Sequence, residues 1–550
     1  MARIPTPYGP AWMEEGWLLR LEASDGRAAL WALGFWHGLR AGPVLVLGLA
    51  RAEGKLSLLE KGERARRNDS LVAGLGIRSL ARRKLARAGA RARSLWGAYA
   101  RGAGEGLSGY RLATPENLAA WDLLFASLPE AGRLFSRPVP FRASNAAALG
   151  ARRVRGGGAL LWLDPHVPRR PRGDLFLHPL LVRSPEYTAC GLARAGSPFV
   201  LAGSGPRLAW TLCSSWVETV RERRGPAGRG WWRPPGEGRY LRPAFPACPL
   251  PSFWAFEAAR SRSAPLLARR SASAPPLAHT HLVAADGKGR IAWCLGISAE
   301  GGGGGPVDLG GRDGFLVQCN ATPGWIRPGR KGKAAPRDAS LPGPRGEDAS
   351  WRHLRALGQV ERLLEGGRRA RPAELEDLAR DTFDGGALRL VRAVLERSLL
   401  PPSSRRLLAG FRGRGTTRSR KASLAYLLQG ALIEEAPSLE GALHLEGALE
   451  NLLSRIPGPV LEKTARRALR RWEHLGRPPW GRIHAGRPGS LDTLLAFGGE
   501  PWGPECFGAG EGSLLPMVVR LTEKGSFLRL LDPEKPGAPL SVRLPAGEVR

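Results

Sequence analysis

Residues 142–166 read R-A-S-N-A-A-A-L-G-A-R-R-V-R-G-G-G-A-L-L-W-L-D-P-H, and this stretch decides the fold class of the 550-residue chain. Before it, apolar side chains recur every three or four positions, whereas from Ser144 onward short apolar runs alternate with turns rich in glycine and proline. The first spacing is typical of amphipathic helices and the second of short β-strands. We therefore predict that a strand-rich region begins at Ser144.

The same two patterns divide the rest of the chain into blocks. We predict a helical region over 1–120, a proline-containing linker over 121–143, a strand-rich core over 144–345, a second helical region over 346–475 and C-terminal strands over 476–550 that complete the core. Strand-rich blocks flanked by helical ones indicate an α+β fold built in layers.

Individual elements follow from the same reasoning. Apolar residues at steps of three and four between 77 and 99, with arginines and lysines on the other faces, predict one amphipathic helix packed on the domain. Residues 220–275 are basic and rich in turns, so we expect mostly loops there. Pro372 is predicted to start a helix. The predicted strands include 159–163, 175–183, 199–202, 208–213, 280–285, 290–295, 315–319, 517–521 and 527–531.

The composition permits a sizeable core and raises the question of an anionic partner. The hydrophobic fraction of 43% is typical of a globular chain, and the formal net charge is +34. The arginines are spread over most of the length together with alanine, glycine, proline and leucine, whose codons are all GC-rich, and they lack the interleaved aromatic residues of a single-strand binder. We therefore expect no specific nucleic-acid partner, and polyanion binding stays open as a third interpretation of the charge.

Metal sites, cofactors and membrane spans are not predicted. The six cysteines form neither a CxxC pair nor a Cys/His zinc spacing, and several lie in apolar runs typical of buried thiols. His279 and His281 alternate on one predicted strand face, but the pattern offers no third ligand. No apolar stretch reaches the 18 residues that a membrane-spanning helix needs.

Four short blocks occur in a fixed order along the chain. They are A-L-G-F-W-H-G at 32–38, Ser144-Asn145 with Pro165-His166, G-S-G-P-R-L-A-W at 203–210 and Q-C-N-A-T-P at 318–323. Together, over most of the chain, they resemble the penicillin acylase family of N-terminal-nucleophile amidohydrolases. The histidine at 166 is more similar to the acyl-homoserine lactone, aculeacin and cephalosporin acylase branch than to the phenylacetyl branch. In the first block, His37 is interpreted as a core histidine and not as a catalytic one.

The resemblance implies a four-layer α-β-β-α sandwich with additional helical regions, and a precursor that cuts itself between Ala143 and Ser144. Ser144 would then be the nucleophile, because its new α-amino group has a pKa low enough to take the hydroxyl proton near neutral pH. By resemblance, the oxyanion is held by the side-chain amide of Asn320 and the backbone N–H of Ser214, and His166 lies beside the amino group. The expected partners are a small-molecule amide substrate and the two processed chains, which form a heterodimer.

Comparison with the family also shows which family features we do not expect in this chain. Relatives that bind calcium use acidic residues just past the third block, where this chain keeps only Glu218, so we predict no metal. Relatives are usually exported, yet charged residues interrupt the first thirty positions before a signal-peptide core can form. The compartment therefore stays open between the cytoplasm, an unusual export route and a mis-assigned start. The alternative function is a catalytically inactive homologue that acts as a binding or scaffold protein.

Overall fold

The computed structural model describes most of the chain. The described residues are 1–108, 113–127, 130, 134, 144–168, 175–214, 220–225, 228, 230–278, 280–296, 307–310, 313–319, 351–379, 381, 385–397, 399–414, 418–435, 453–454, 456–480, 482, 511–513, 516–531 and 539–546. Of these, the side chains of 166–168, 214, 351–352, 433 and 511–513 are outside the description.

The larger of two facing sheets has ten strands. They are β1 (Ala2–Ile4), β2 (Ala11–Glu14), β3 (Leu19–Ala23), β6 (Leu177–Arg183), β7 (Thr188–Arg194), β8 (Ala202–Ser204), β9 (Leu208–Ser214), β12 (Thr280–Asp286), β13 (Ile291–Gly296) and β14 (Val307–Asp308), in that spatial order. Neighbours are antiparallel except β3 and β6, which are parallel. Every residue of β12 and β13 is buried, because both faces of these central strands are covered.

The smaller sheet has seven strands and carries Ser144. They are β4 (Ser144–Leu149), β5 (Ala159–Pro168), β15 (Phe315–Gln318), β16 (Glu511–Ser513), β17 (Met517–Thr522), β18 (Gly525–Leu530) and β19 (Leu540–Pro545). Their order is β15-β4-β5-β17-β18-β19, and β16 pairs with the end of β5. Two further strands, β10 (Arg221–Arg224) and β11 (Arg239–Arg242), form a separate ribbon in which every residue of β10 is exposed.

The connection from β4 to β5 explains the triple glycine of the opening stretch. Gly156, Gly157 and Gly158 all have φ between 73° and 77°, a left-handed conformation that only glycine adopts without strain. A Cβ at Gly158 would also meet the carbonyl oxygen of Leu521 at 2.1 Å. The turn thus requires glycine both for its backbone angles and for its close approach to β17.

Helices cover both sheets. The described helices are α1 (Gly26–Arg40), α2 (Gly42–Glu53), α3 (Glu63–Gly74), α4 (Ile77–Arg87), α5 (Ala90–Gly106), α6 (Pro115–Phe125), α7 (Pro251–Arg260), α8 (Ala264–Ser273), α9 (Trp351–Leu364), α10 (Pro372–Ala379), α11 (Gly385–Glu396), α12 (Pro402–Ala409), α13 (Arg420–Glu435) and α14 (Gly458–His474). Helices α7 and α8 pack on the ten-stranded sheet, and α9 and α10 pack on the seven-stranded sheet. Helices α11 to α14 have a core of their own.

Alternation along β4 shows which core each face joins. Ala146 and Ala148 belong to the core between the two sheets, whereas Ala147 and Leu149 belong to the core beneath α9 and α10. Successive strand residues point to opposite faces, so the layers stack as helix, sheet, sheet and helix. The predicted α+β fold in four layers is therefore confirmed.

Several element predictions need correction. The region 1–120 is not purely helical, because β1, β2 and β3 extend the larger sheet from its N-terminal edge. The amphipathic pattern over 77–99 is two helices, α4 and α5, separated at Ala88 and Gly89. The predicted strand 199–202 contributes only its last residue, to β8, and the expected loops at 220–275 contain β10, β11, α7 and α8. The proposed boundary at 120 falls inside α6.

Among the described residues, no single helix has both the length and the apolarity to cross a membrane. The only combination that meets those two criteria is α1 with α2, which are bent by 99° relative to each other.

Candidate active site

Ser144 is the first residue of β4 and is buried, with 6% of its surface exposed. In the ladder with β5 it lies opposite Pro165, and Asn145 lies opposite Asp164. Because side chains alternate along a strand, Ser144 shares a face with Ala146 and points toward the ten-stranded sheet. The predicted nucleophile thus begins an inner strand and faces the space between the sheets.

The other neighbour of β4 leads toward Asn320. Strand β15 runs antiparallel to β4, and its last residue, Gln318, lies opposite Ala146. Asn320 itself lies outside the described residues. In the sequence it follows Gln318 by two residues. The last described residue of β15 thus lies beside β4, two positions along that strand from Ser144.

The end of β9, in the facing sheet, contacts the end of β15. The thiol of Cys213 donates a 3.7 Å hydrogen bond to the backbone carbonyl of Gln318, joining the second-to-last residue of β9 to the last residue of β15. Ser214 is the last residue of β9 and lies opposite Thr280 of β12. Its backbone is described, but its side chain is not. The head of β4 and the ends of β9 and β15 therefore converge.

His166 lies one residue beyond the partner of Ser144 in β5. Its backbone pairs with Ser513 of β16. Its side chain and the whole of Ala143 lie outside the described residues, so the structure leaves their predicted roles untested.

Two polar contacts next to this convergence were not predicted from sequence. Asn145 donates from Nδ2 to Oδ2 of Asp164 at 3.1 Å, and both side chains are buried. The backbone N–H of Cys319, the residue before Asn320, donates to Nδ1 of His353 in α9 at 3.4 Å. The quoted motif contained Asn145 and Asp164, but only the strand register shows that they pair. The helical pattern around His353 does not distinguish this histidine from its neighbours as a residue near the site.

The histidine of the first block belongs to a different, buried network. Gly196 N–H donates to the hydroxyl of Tyr99 at 2.8 Å, and that hydroxyl contacts Nδ1 of His37 at 2.7 Å. Nε2 of His37 contacts Nε2 of His178 at 2.8 Å, and Nδ1 of His178 donates to the carbonyl of Pro179 at 3.1 Å. When both rings are neutral, each of the four bonds has one donor and one acceptor: the Tyr99 hydroxyl donates to Nδ1 of His37, and Nε2 of His37 donates to Nε2 of His178. The interpretation of His37 as a core histidine is confirmed.

Burial accounts for the charge state of that network. It lowers the pKa of His178 to about 4. Burial, together with the electrostatic influence of His178 and Arg194, also holds the pKa of His37 well below its usual range. Both rings are therefore neutral near pH 7, as the hydrogen-bond directions require.

Of the two alternating histidines, the structure describes only His281. His281 is buried in β12, and its ring centroid lies 5.6 Å from that of Trp293. His279 lies outside the described residues. No group of three or more histidine, cysteine or acidic side chains that could hold a metal occurs in the part of the chain that the structure describes.

Two facing sheets, each covered by helices, with a serine at the head of an inner strand, define a four-layer α+β protein. The sequence model of one family, described as Penicillin amidase, matches residues 113–221, which include the head of β4, the whole of β5 and the end of β9. Residues 113–221 are therefore related to the penicillin acylase family, a family of amidohydrolases.

Comparison with known proteins gave two further findings. The solved structure of the thermostable penicillin G acylase from Alcaligenes faecalis aligns with a TM-score of 0.43 and 13% identity, over 71% of this chain and 90% of that chain. No curated protein sequence matches the chain.

Proposed function

We propose that the protein is an amidohydrolase that cleaves a linear carbon–nitrogen amide bond through an acyl-enzyme on Ser144. In this proposal, cleavage of the precursor after Ala143 creates the α-amino group that acts as the base. The observation that carries the proposal is the position of Ser144, buried at the head of β4 where the ends of β9 and β15 meet. The family match over 113–221 supports it.

The proposed chemistry assigns each group one task. The α-amino group of Ser144 takes the proton from Oγ as Oγ attacks the carbonyl carbon of the amide. The side-chain amide of Asn320 and the backbone N–H of Ser214 donate to the resulting oxyanion. The amine then leaves with the proton, and water releases the acyl group by the same route in reverse. His166 directly follows Pro165, the partner of Ser144 in β5. We assign to His166 the task of orienting the α-amino group of Ser144.

Sulfonylation tests this proposal without knowledge of the substrate. Phenylmethylsulfonyl fluoride transfers its sulfonyl group to an activated serine hydroxyl and releases fluoride, so peptide mapping locates the reactive serine. We expect one label, on Ser144 of a chain that begins there, and none in the Ser144→Ala variant. A panel of N-acyl amides with short to long acyl groups then identifies turnover through release of the amine. A processed wild-type protein that takes no label and releases no amine would favour the inactive, scaffold-type homologue instead.

A further inference from the structure

The hydrogen bond between Asn145 and Asp164 ties the second residue of β4 to its direct partner in β5. The donor is Nδ2 of Asn145, the acceptor is Oδ2 of Asp164, and the distance is 3.1 Å. The two residues face each other in the strand register, and their exposed fractions are 0% and 1%. A charge-assisted hydrogen bond that is buried away from solvent is stronger than one between exposed neutral groups.

The strand end at Ser144 needs such a tie for two reasons. Its partner in the ladder is Pro165, which has no backbone N–H to donate. Cleavage after Ala143 would also make Ser144 a chain terminus, and terminal residues lose order unless neighbouring groups hold them. The adjacent Asn145 is one peptide unit away, so fixing it leaves Ser144 with only its own backbone torsions to settle.

The bond lies on the opposite face of the strand from the serine hydroxyl. Asn145 shares its face with Ala147 and Leu149, which pack beneath α9 and α10, whereas Ser144 shares its face with Ala146 between the sheets. The pair therefore acts on Ser144 through the backbone and leaves the reacting side of the strand clear.

We propose that Asn145 and Asp164 are a positioning pair that holds the α-amino group and hydroxyl of Ser144 in register with the ends of β9 and β15. This inference rests on the proposed function of Ser144. Misplacement of a reacting group by about 1 Å costs on the order of a hundredfold in rate, so a tie one residue away has a measurable effect.

An exchange of the two side chains tests the proposal. Asn145→Asp places two carboxylates opposite each other and removes the donor, and it should slow sulfonylation of Ser144 by at least about tenfold. The double variant Asn145→Asp with Asp164→Asn restores one amide and one carboxylate with the bond reversed, and it should recover most of the rate. Asp164→Asn alone keeps an amide–amide bond and should fall between the two.

The controls separate positioning from general stability and from failure of the proposed function. Leu149→Ala, at the far end of β4, should lower the melting temperature while leaving the sulfonylation rate of folded protein unchanged. Asn145→Ala removes the donor without adding a charge and covers the case in which Asn145→Asp fails to fold. An unchanged rate in Asn145→Ala, or a folded exchange variant that stays as slow as Asn145→Asp, would overturn the pair's role. An unlabelled wild type would instead overturn the proposed function.

Discussion

At the scale of the residue, the candidate site depends on backbone positions more than on a cluster of side chains. The Cys213 thiol and the Gln318 carbonyl join the ends of β9 and β15, and the N–H of Cys319 is held by His353. Ser214 directly follows Cys213 in the chain, and Asn320 directly follows Cys319; these two residues are the proposed oxyanion donors. The contacts therefore involve the residues that directly precede the two proposed donors.

Replacing Asn320 tests this arrangement directly. We expect Asn320→Ala to permit precursor cleavage and to lower kcat by about 100- to 1000-fold, equivalent to about 2.7–4 kcal/mol, because one oxyanion donor is lost. The measurement is the rate of amine release from the best amide of the panel described above. Thr322→Ala, in the same segment but without an assigned role, serves as the matched control. Wild-type activity in Asn320→Ala would show that the fourth block had been misassigned.

Sequence reasoning proposed the residues of the candidate site but did not predict the contacts beside them. Ser144, His166 and Asn320 stand in recognisable blocks, because family motifs preserve residue types and order. The Asn145–Asp164 bond depends on the register of two strands joined by a nine-residue connection, and His353 belongs to a helix that begins some thirty residues after the fourth block. Neither relation leaves a periodic signal in the sequence.

At the scale of the element, helices α1 and α5 lie in direct backbone contact. A Cβ on Gly102 of α5 would lie 2.1 Å from the carbonyl oxygen of Trp31, and a Cβ on Gly34 of α1 would lie 2.2 Å from that of Tyr99. Glycines on both helices let the backbones touch, and this contact brings Tyr99 to His37. The glycines of the block at 32–38 are therefore explained by packing.

Two glycines of the same helix give a matched test. Gly102→Ala should lower the free energy of unfolding by about 1–3 kcal/mol, because the new methyl group must displace backbone atoms. A Cβ at Gly97 would meet no atom within 4 Å, so Gly97→Ala should raise stability by about 0.5–1 kcal/mol through helix propensity alone. Urea unfolding measures both. Equal effects of the two substitutions would contradict the close contact of α1 with α5.

Long apolar runs were easier to predict than short strands or helix breaks. The predicted strands 208–213, 280–285 and 290–295 agree with β9, β12 and β13, because buried central strands are continuous apolar runs. Strands β1 to β3 have only three to five residues each, and β3 joins the sheet through a parallel partner that lies far along the chain. Such pairing is a tertiary effect that local pattern does not carry.

At the scale of the whole molecule, buried polar contacts join the parts of the chain before and after residue 143. His37 and Tyr99 precede that point, and His178 follows it. A second link joins Asp122 to Arg194 at 2.8 Å, with both side chains almost fully buried. These contacts explain how the two processed chains would stay together as a heterodimer after cleavage.

The histidine network predicts a specific loss of stability in acid. The pKa of His178 falls to about 4 and that of His37 falls well below its usual range, whereas an unfolded histidine titrates near 6.5. The unfolded chain therefore binds more protons between about pH 6.5 and 4. The contribution of the two histidines to the free energy of unfolding is fully present above that window. It falls as the pH drops through the window, by up to about 1.4 kcal/mol per pH unit for each histidine.

The contribution of Asp122 has the opposite sign, and a variant separates the two. Burial raises the pKa of Asp122, so its folded form gains protons before its unfolded form does. His178→Asn removes one titrating ring and leaves Asp122 in place. In urea unfolding at pH 7, 6 and 5, the free energy of unfolding of wild type should fall toward that of His178→Asn as the pH falls. A constant difference between the two proteins would contradict neutral burial of His178.

The most direct test of the central claim is the covalent state of the purified protein. Intact mass under denaturing conditions, with N-terminal sequencing, should find two chains, one ending at or before Ala143 and one spanning 144–550 with Ser144 at its N-terminus. The Ser144→Ala variant should give a single chain, because the group that attacks the preceding peptide bond is absent. A folded wild-type protein that consists only of intact Met1 to Arg550 would contradict the assignment of Ser144 as an N-terminal nucleophile.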